Sequence, residues 1–214
     1  MGDFDRPCFV DIDTQVDFVR PNGKLPVAGA EKLVRIWKQL TEFGEANKLP
    51  MIASVECHEL NDTEFDHIER HCVRGTPGQA KIPETLAADH QYIPNNKRDA
   101  TIDFEVQLIL EKQNVDVFSN VMAAEVFTTI PCTTFAVYGV PTEYSVRVAV
   151  LGLLSRGHRV HLLSDAVLAL HVAEGERALA EMANAGAAFI QSAALMGKVR
   201  QHLANLPLNP SGRP

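Results

Sequence analysis

Glu56-Cys57-His58, followed by His71, puts a carboxylate and two imidazoles within a short stretch of chain. That is a ligand set divalent zinc, iron or manganese accept while keeping positions open for water. Glu56 and His58 are alternate residues, so on an extended chain both side chains can face one ion. Glu64 is a candidate further ligand. The same residues also suit a solvated polar loop, since His58, His67 and His71 fall within it. Cys57 and Cys72 fit no structural zinc spacing and read as small core residues.

Ser145 is the second candidate. Val137 to Val146 is an apolar run that ends in a Gly139-Val140-Pro141 turn and passes into a helical pattern. A strand that stops at a turn and feeds a helix delivers unpaired N–H groups and the first side chains to one edge of a sheet. Ser145 is therefore a nucleophile, a relic of one or an ordinary first-turn serine. Asp13 ends the apolar run from Pro7, and Asp13 and Asp17 also fit as capping residues. Lys112 follows a stretch, Phe104 to Glu111, with helical spacing, where a cation would be favoured by the helix dipole.

These residues need a frame to position them. Pro7 to Asp13, Pro50 to Val55, Thr133 to Val140 and Val160 to Ser164 read as strands, and Ala187 to Ser192 starts the last one. Ala28 to Ala46, Thr142 to Ser155 and Glu174 to Asn184 carry helical spacing. Strands alternating with helices predict an α/β fold, a parallel sheet covered on both faces. Ligands bind such sheets at the carboxyl ends of the strands, where Asp13, Glu56 and the turn at Val140 fall. Glu56 to Lys81 loses periodicity, and a loop that long is usually functional. Asp116 to Asn120 fits a short strand or a loop.

Length and composition bound the rest. The 214 residues fit one domain, here 1–205, with a Pro-rich tail, 206–214, expected to be loose. A net charge of −7, with twenty Lys and Arg dispersed along the chain, disfavours nucleic acid and anionic membrane and favours a small-molecule partner. No apolar stretch reaches the roughly 18–20 residues of a membrane span, and the first residues are neither a signal peptide nor a myristoylation signal. A cytoplasmic location and four reduced cysteines are the matching expectations.

Taken together and in order, the motifs resemble the isochorismatase-like hydrolase superfamily, and within it the nicotinamidases. The resemblance rests on Asp13-x-Gln15-x-Asp17-Phe18, Glu56-x-His58, His71-Cys-Val-Arg-Gly-Thr-Pro-Gly78, the Lys112 segment ending in Phe118-Ser119, and Gly139-Val-Pro-Thr-Glu-Tyr-Ser-Val146. It implies a three-layer α/β/α fold and a homo-oligomer. It implies an acid/base at Asp13, an electrostatic partner at Lys112, and a divalent metal on Glu56, His58 and His71, with Glu56 where nicotinamidases have aspartate. Phe18 would pack on substrate beside Val140 and Pro141. The implied reaction is hydrolysis of a C–N amide bond of a small molecule.

Three departures accompany the resemblance. Ser145 stands where the family has its nucleophilic cysteine, and a hydroxyl attacks only when a base takes its proton. Pro141 stands where the family uses a backbone N–H to hold the oxyanion, and proline has none. Ile68 stands where nicotinamidases stack an aromatic ring on substrate. The alternatives are a homologue that binds a small ligand or partner without turnover, and vinyl ether cleavage of the isochorismatase kind, which uses the aspartate and no nucleophile.

Overall fold

The apolar runs CFVDI, MIASVE and TFAVYG become β1 (Cys8–Ile12), β2 (Met51–Glu56) and β5 (Thr134–Gly139), each buried along its whole length. Strands buried on both faces are what unbroken apolar runs build in a parallel sheet. The computed structural model describes residues 6–96 and 101–206. Its sheet has seven strands in the order β3-β4-β2-β1-β5-β6-β7, every neighbouring pair parallel. The remaining strands are β3 (His90–Ile93), β4 (Gln107–Lys112), β6 (Arg159–Val167) and β7 (Ala188–Ile190).

Helices cover both faces. After a single turn, α1 (Val16–Val19), α2 (Val34–Ala46) packs Trp37, Leu40 and Phe43 on one face, and the Trp37 indole donates to the Ala166 carbonyl at 2.9 Å. The opposite face carries α3 (Ala123–Thr129), α4 (Arg147–Ser155) and α5 (Val172–Asn184) through Phe127, Leu153 and Met182. α6 (Ser192–Ala204) returns to the α2 side with Leu195 and Val199. The result is the expected three-layer α/β/α arrangement.

Two expectations need correction. Phe104 to Glu111 is not helical: Leu108, Ile109 and Leu110 are all buried in β4, and Lys112 ends a strand rather than a helix. A short apolar run buried on both faces has no period to distinguish it from a helix. The last strand stops at Ile190, and Ser192 already begins α6. Asp116 to Asn120 is one 3₁₀ turn, Val117–Ser119. Most of the expected loose tail, 207–214, lies outside the described residues. No helix among the described residues is long and apolar enough to cross a membrane.

The strand order reverses between β1 and β5, and there the sheet opens a crevice at its carboxyl edge. Gly139 makes the close approach possible: a Cβ on it would lie 2.0 Å from the Ile12 carbonyl oxygen, and its φ is 124°.

Candidate active site

Four strand ends supply the polar side chains. Asp13 follows β1, Glu56 ends β2, Lys112 ends β4, and the segment after β5 carries Ser145 in a π-helical turn, Thr142–Val146, that leads into α4. Register does much of the alignment, because Glu56 and Lys112 are direct partners in the β2–β4 ladder. Asp13 leaves the ladder with φ 52°, a left-handed conformation that aspartate tolerates better than most residues.

The Lys112 ammonium is the hub. It lies 2.8 Å from Asp13 Oδ2 and donates to Glu56 Oε1 at 3.0 Å and to Ser145 Oγ at 3.4 Å. Glu56 joins this group to the histidines, because its Oε2 sits 3.3 Å from His58 Nε2 and 3.1 Å from His71 Nε2. Asp13, Lys112, Ser145, His58 and His71 are all buried. Ser54, in the middle of β2, donates to Asp13 Oδ1 at 2.6 Å. Asp13 Oδ2 faces the ammonium but accepts no hydrogen bond of good geometry, which leaves it open to a proton.

The two carboxylates on this ammonium are driven apart. Burial raises Asp13 from its ordinary value despite the ammonium beside it. Burial acts the same way on Glu56, but Lys112, His58 and His71 together outweigh it and hold Glu56 well below its ordinary value. Burial would lower Lys112, yet Asp13 and Glu56 raise it, so it stays charged. A pair pushed in opposite directions separates a proton carrier from a fixed charge.

Two imidazoles and a carboxylate oxygen, all within 4.8 Å of one another, form a site that the chemistry of its donors fits to a cation. His71 Nδ1 faces the Glu69 carbonyl at 2.8 Å, which fixes the proton there and turns the Nε2 lone pair toward Glu56. His58 Nδ1 is held by Asp62 at 2.9 Å. Such outer partners orient metal-binding imidazoles. Burial lowers the His58 imidazole, but its bonds to Glu56 and Asp62 outweigh it and push it up to about 9. Glu64 Oε2 is 4.0 Å from His58 Nδ1, on the side of the ring away from Glu56. His67, the third histidine of the loop, is exposed.

A cavity of about 470 Å³ opens above this group. Ser145, Pro141, Glu56 and His71 reach it, while Phe18, Ile68, Val115, Tyr144 and Leu170 give it apolar walls. Asp13 and Lys112 do not line it; they are fully buried, in contact with Glu56 and Ser145 through the ammonium. The Phe18 ring tilts against His71 at 5.5 Å, and Phe65 packs on both imidazoles at 5.3 and 5.8 Å. Val140 is turned into the core, so of the Val140–Pro141 pair, joined by a cis peptide, only Pro141 meets the cavity.

Sequence reasoning missed Ser54, Asp62 and Glu143. The first had a signal, a lone hydroxyl in an otherwise apolar strand. Glu143 is buried and accepts from the Leu170 and His171 N–H groups at 3.1 and 2.6 Å, fixing the loop that closes one side of the cavity.

Comparison with known proteins identifies the family and the fold. A family profile for the isochorismatase domain matches residues 7–194. The pyrazinamidase of Pyrococcus horikoshii, solved in complex with zinc, is 25% identical with a TM-score of 0.71, over 87% of this chain and 99% of that one. An isochorismatase-like hydrolase from Alkaliphilus metalliredigens is 20% identical with a TM-score of 0.75, over 90% and 98%. The pyrazinamidase/nicotinamidase of Streptococcus mutans is 20% identical with a TM-score of 0.71, over 86% and 99%. No curated protein sequence matches.

Proposed function

This chain belongs to the isochorismatase domain family, and from that membership we propose a metal-assisted hydrolase that cleaves the C–N amide bond of a small, uncharged molecule. The observation that carries the reading is the Lys112 ammonium, in contact with Asp13, Glu56 and Ser145 at once, beside the Glu56–His58–His71 set. The zinc in the Pyrococcus pyrazinamidase supports the metal. Glu56, His58 and His71 would hold zinc, iron or manganese, which would supply Lewis acidity and a bound water of lowered pKa.

The chain's own residues account for the proton traffic. Ser145 Oγ adds to the amide carbon while its proton passes to Asp13 Oδ2. The C–N bond then breaks as Asp13 returns that proton to the leaving nitrogen. Water adds to the resulting ester, giving one proton to Asp13, and the acid leaves as Ser145 takes the proton back. Lys112 balances the negative charge. A carboxylate is a poor base for a hydroxyl unless its pKa is raised, and burial raises that of Asp13. Pro141 offers no N–H to the oxyanion, and a missing donor costs roughly 10²–10³ in rate. Turnover is therefore slow.

The combined absence of thiol and oxyanion N–H favours a second reading, a homologue that binds a small ligand without turnover. Anionic vinyl ethers fit less well, since Glu56 and Glu64 line the cavity and, among the described residues, no lysine or arginine does. Ammonia or amine release from a panel of small amides tests the proposal. Asp13→Ala should abolish the release; equal inertness of both proteins would remove the amidase reading for those substrates.

A further inference from the structure

Gln15 and Asp17 sit just after Asp13, both buried, and neither lines the cavity. All but one of their side-chain hydrogen bonds go to the backbone of the segment that carries the metal-site residues. β1 pairs with β2 only as far as Ile12 opposite Ser54, because the chain turns away at Asp13. The Glu56 peptide, two residues further along β2, thereby loses its ladder neighbour on the β1 side. Gln15 replaces it. Its Oε1 accepts the Glu56 N–H at 2.7 Å, and its Nε2 donates to the Glu56 carbonyl at 2.8 Å and to the Gln79 carbonyl at 2.6 Å. The side-chain amide thus acts as an extra rung of sheet on the peptide of the carboxylate ligand.

Asp17 does the corresponding work beside His71. Its Oδ2 accepts the Cys72 N–H at 2.7 Å and its Oδ1 the Lys24 N–H at 3.0 Å. Cys72 has φ 45°, a left-handed conformation that a non-glycine residue adopts only against a steric cost, so the bond from Asp17 helps to hold the turn that aims His71. The loop returns directly over this carboxylate: a Cβ on Gly78 would lie 2.2 Å from Asp17 Oδ2, and the Asp17 N–H donates to the Gly78 carbonyl at 3.0 Å. The loop also closes on itself, with His58 N–H bonded to the Cys72 carbonyl at 3.1 Å.

We propose that Gln15 and Asp17 are positioning residues of the metal centre, holding the peptides of Glu56 and Cys72 so that Glu56, His58 and His71 converge on one ion. The inference rests on the metal reading above. The molecule contains its own control. Gln107, equally buried, uses the same amide geometry on a segment without ligands, accepting from Ala87 N–H at 2.9 Å and donating to the Thr85 carbonyl at 3.1 Å.

Zinc(II) alone, titrated against a chromophoric chelator, tests the assignment on the whole chain and on Gln15→Met, Asp17→Asn and Gln107→Met, with metal-free thermal unfolding of each. Gln15→Met and Asp17→Asn should weaken zinc roughly 10–100-fold, the effect of losing an outer partner of a metal ligand. Gln107→Met should unfold earlier yet keep the wild-type zinc affinity. Wild-type affinity in the first two, or an equal loss in Gln107→Met, overturns the assignment. A wild-type chain that takes up no zinc overturns the metal reading itself and the clamp with it. Should Gln15→Met not fold, the near-isosteric Asp17→Asn decides.

Discussion

Ser145 and Pro141 lie four residues apart and bear on the two sides of one step, the attack and the charge it creates. Ser145 Oγ already accepts from the Lys112 ammonium at 3.4 Å, which favours a developing negative charge but does not remove the proton. Only Asp13 has an open, buried acceptor oxygen within this group. Ser145→Cys supplies a group that ionises near pH 8.5, and Pro141→Ala restores an N–H. Amide turnover should rise in the first and rise again in the pair, by up to roughly 10²–10³ for the added donor. High turnover of the unmodified chain, unchanged in the pair, would contradict this view of both residues. At this scale the sequence was informative wherever a residue type has few uses: Glu56, His58 and His71 stood out by type and lie within 4.8 Å of one another, while Lys112 joins Asp13 to Glu56. Ser54 and Gln15 were not given roles, because their work is done through hydrogen bonds to partners 41 residues away.

Among the elements, β4 shows where periodicity gives out. Leu108, Ile109 and Leu110 point to both faces of the sheet and all meet core, so no polar side interrupts the run, and Phe104 and Val106 complete an accidental helical spacing. α6 escaped notice for a different reason, since Gly197, exposed in the middle of the helix, breaks its local pattern. The loop from Leu168 to His171 had no pattern to read, yet it is tied down: the Thr142 N–H donates to the Leu168 carbonyl at 3.0 Å, and Glu143 takes the next two free N–H groups. Because Leu170 and His171 line the cavity, this strap sets the shape of its wall. Glu143→Gln replaces one acceptor with a donor that meets an N–H. Steady-state kinetics should show a raised KM with a smaller change in kcat; an unchanged KM would mean the loop holds its place without the strap.

The whole molecule brings four strand ends to one crevice because its strand order reverses beside β1; the alternation of strands and helices predicted the parallel sheet but not that order. What alternation does not show is how the loop after β2 is fastened. One fastening is the buried ion pair of Lys81, near the end of that loop, with Asp11 of β1, joined by a bond from Lys81 to Thr14 Oγ1 at 2.7 Å. Lys81→Met leaves the Asp11 carboxylate buried without its cation, and chemical denaturation should report a loss of about 3–5 kcal/mol. Adding Asp11→Asn should recover much of it; no recovery would mean that the lysine's packing matters more than its charge.

On the proposed reading these strand ends form an acyl-transfer centre with the Ser145 hydroxyl as the attacking group. The most direct measurement is amide turnover by the zinc-loaded chain beside Ser145→Ala. Slow hydrolysis by the chain itself and background rates in Ser145→Ala are expected. Equal, Asp13-dependent hydrolysis by both would contradict it.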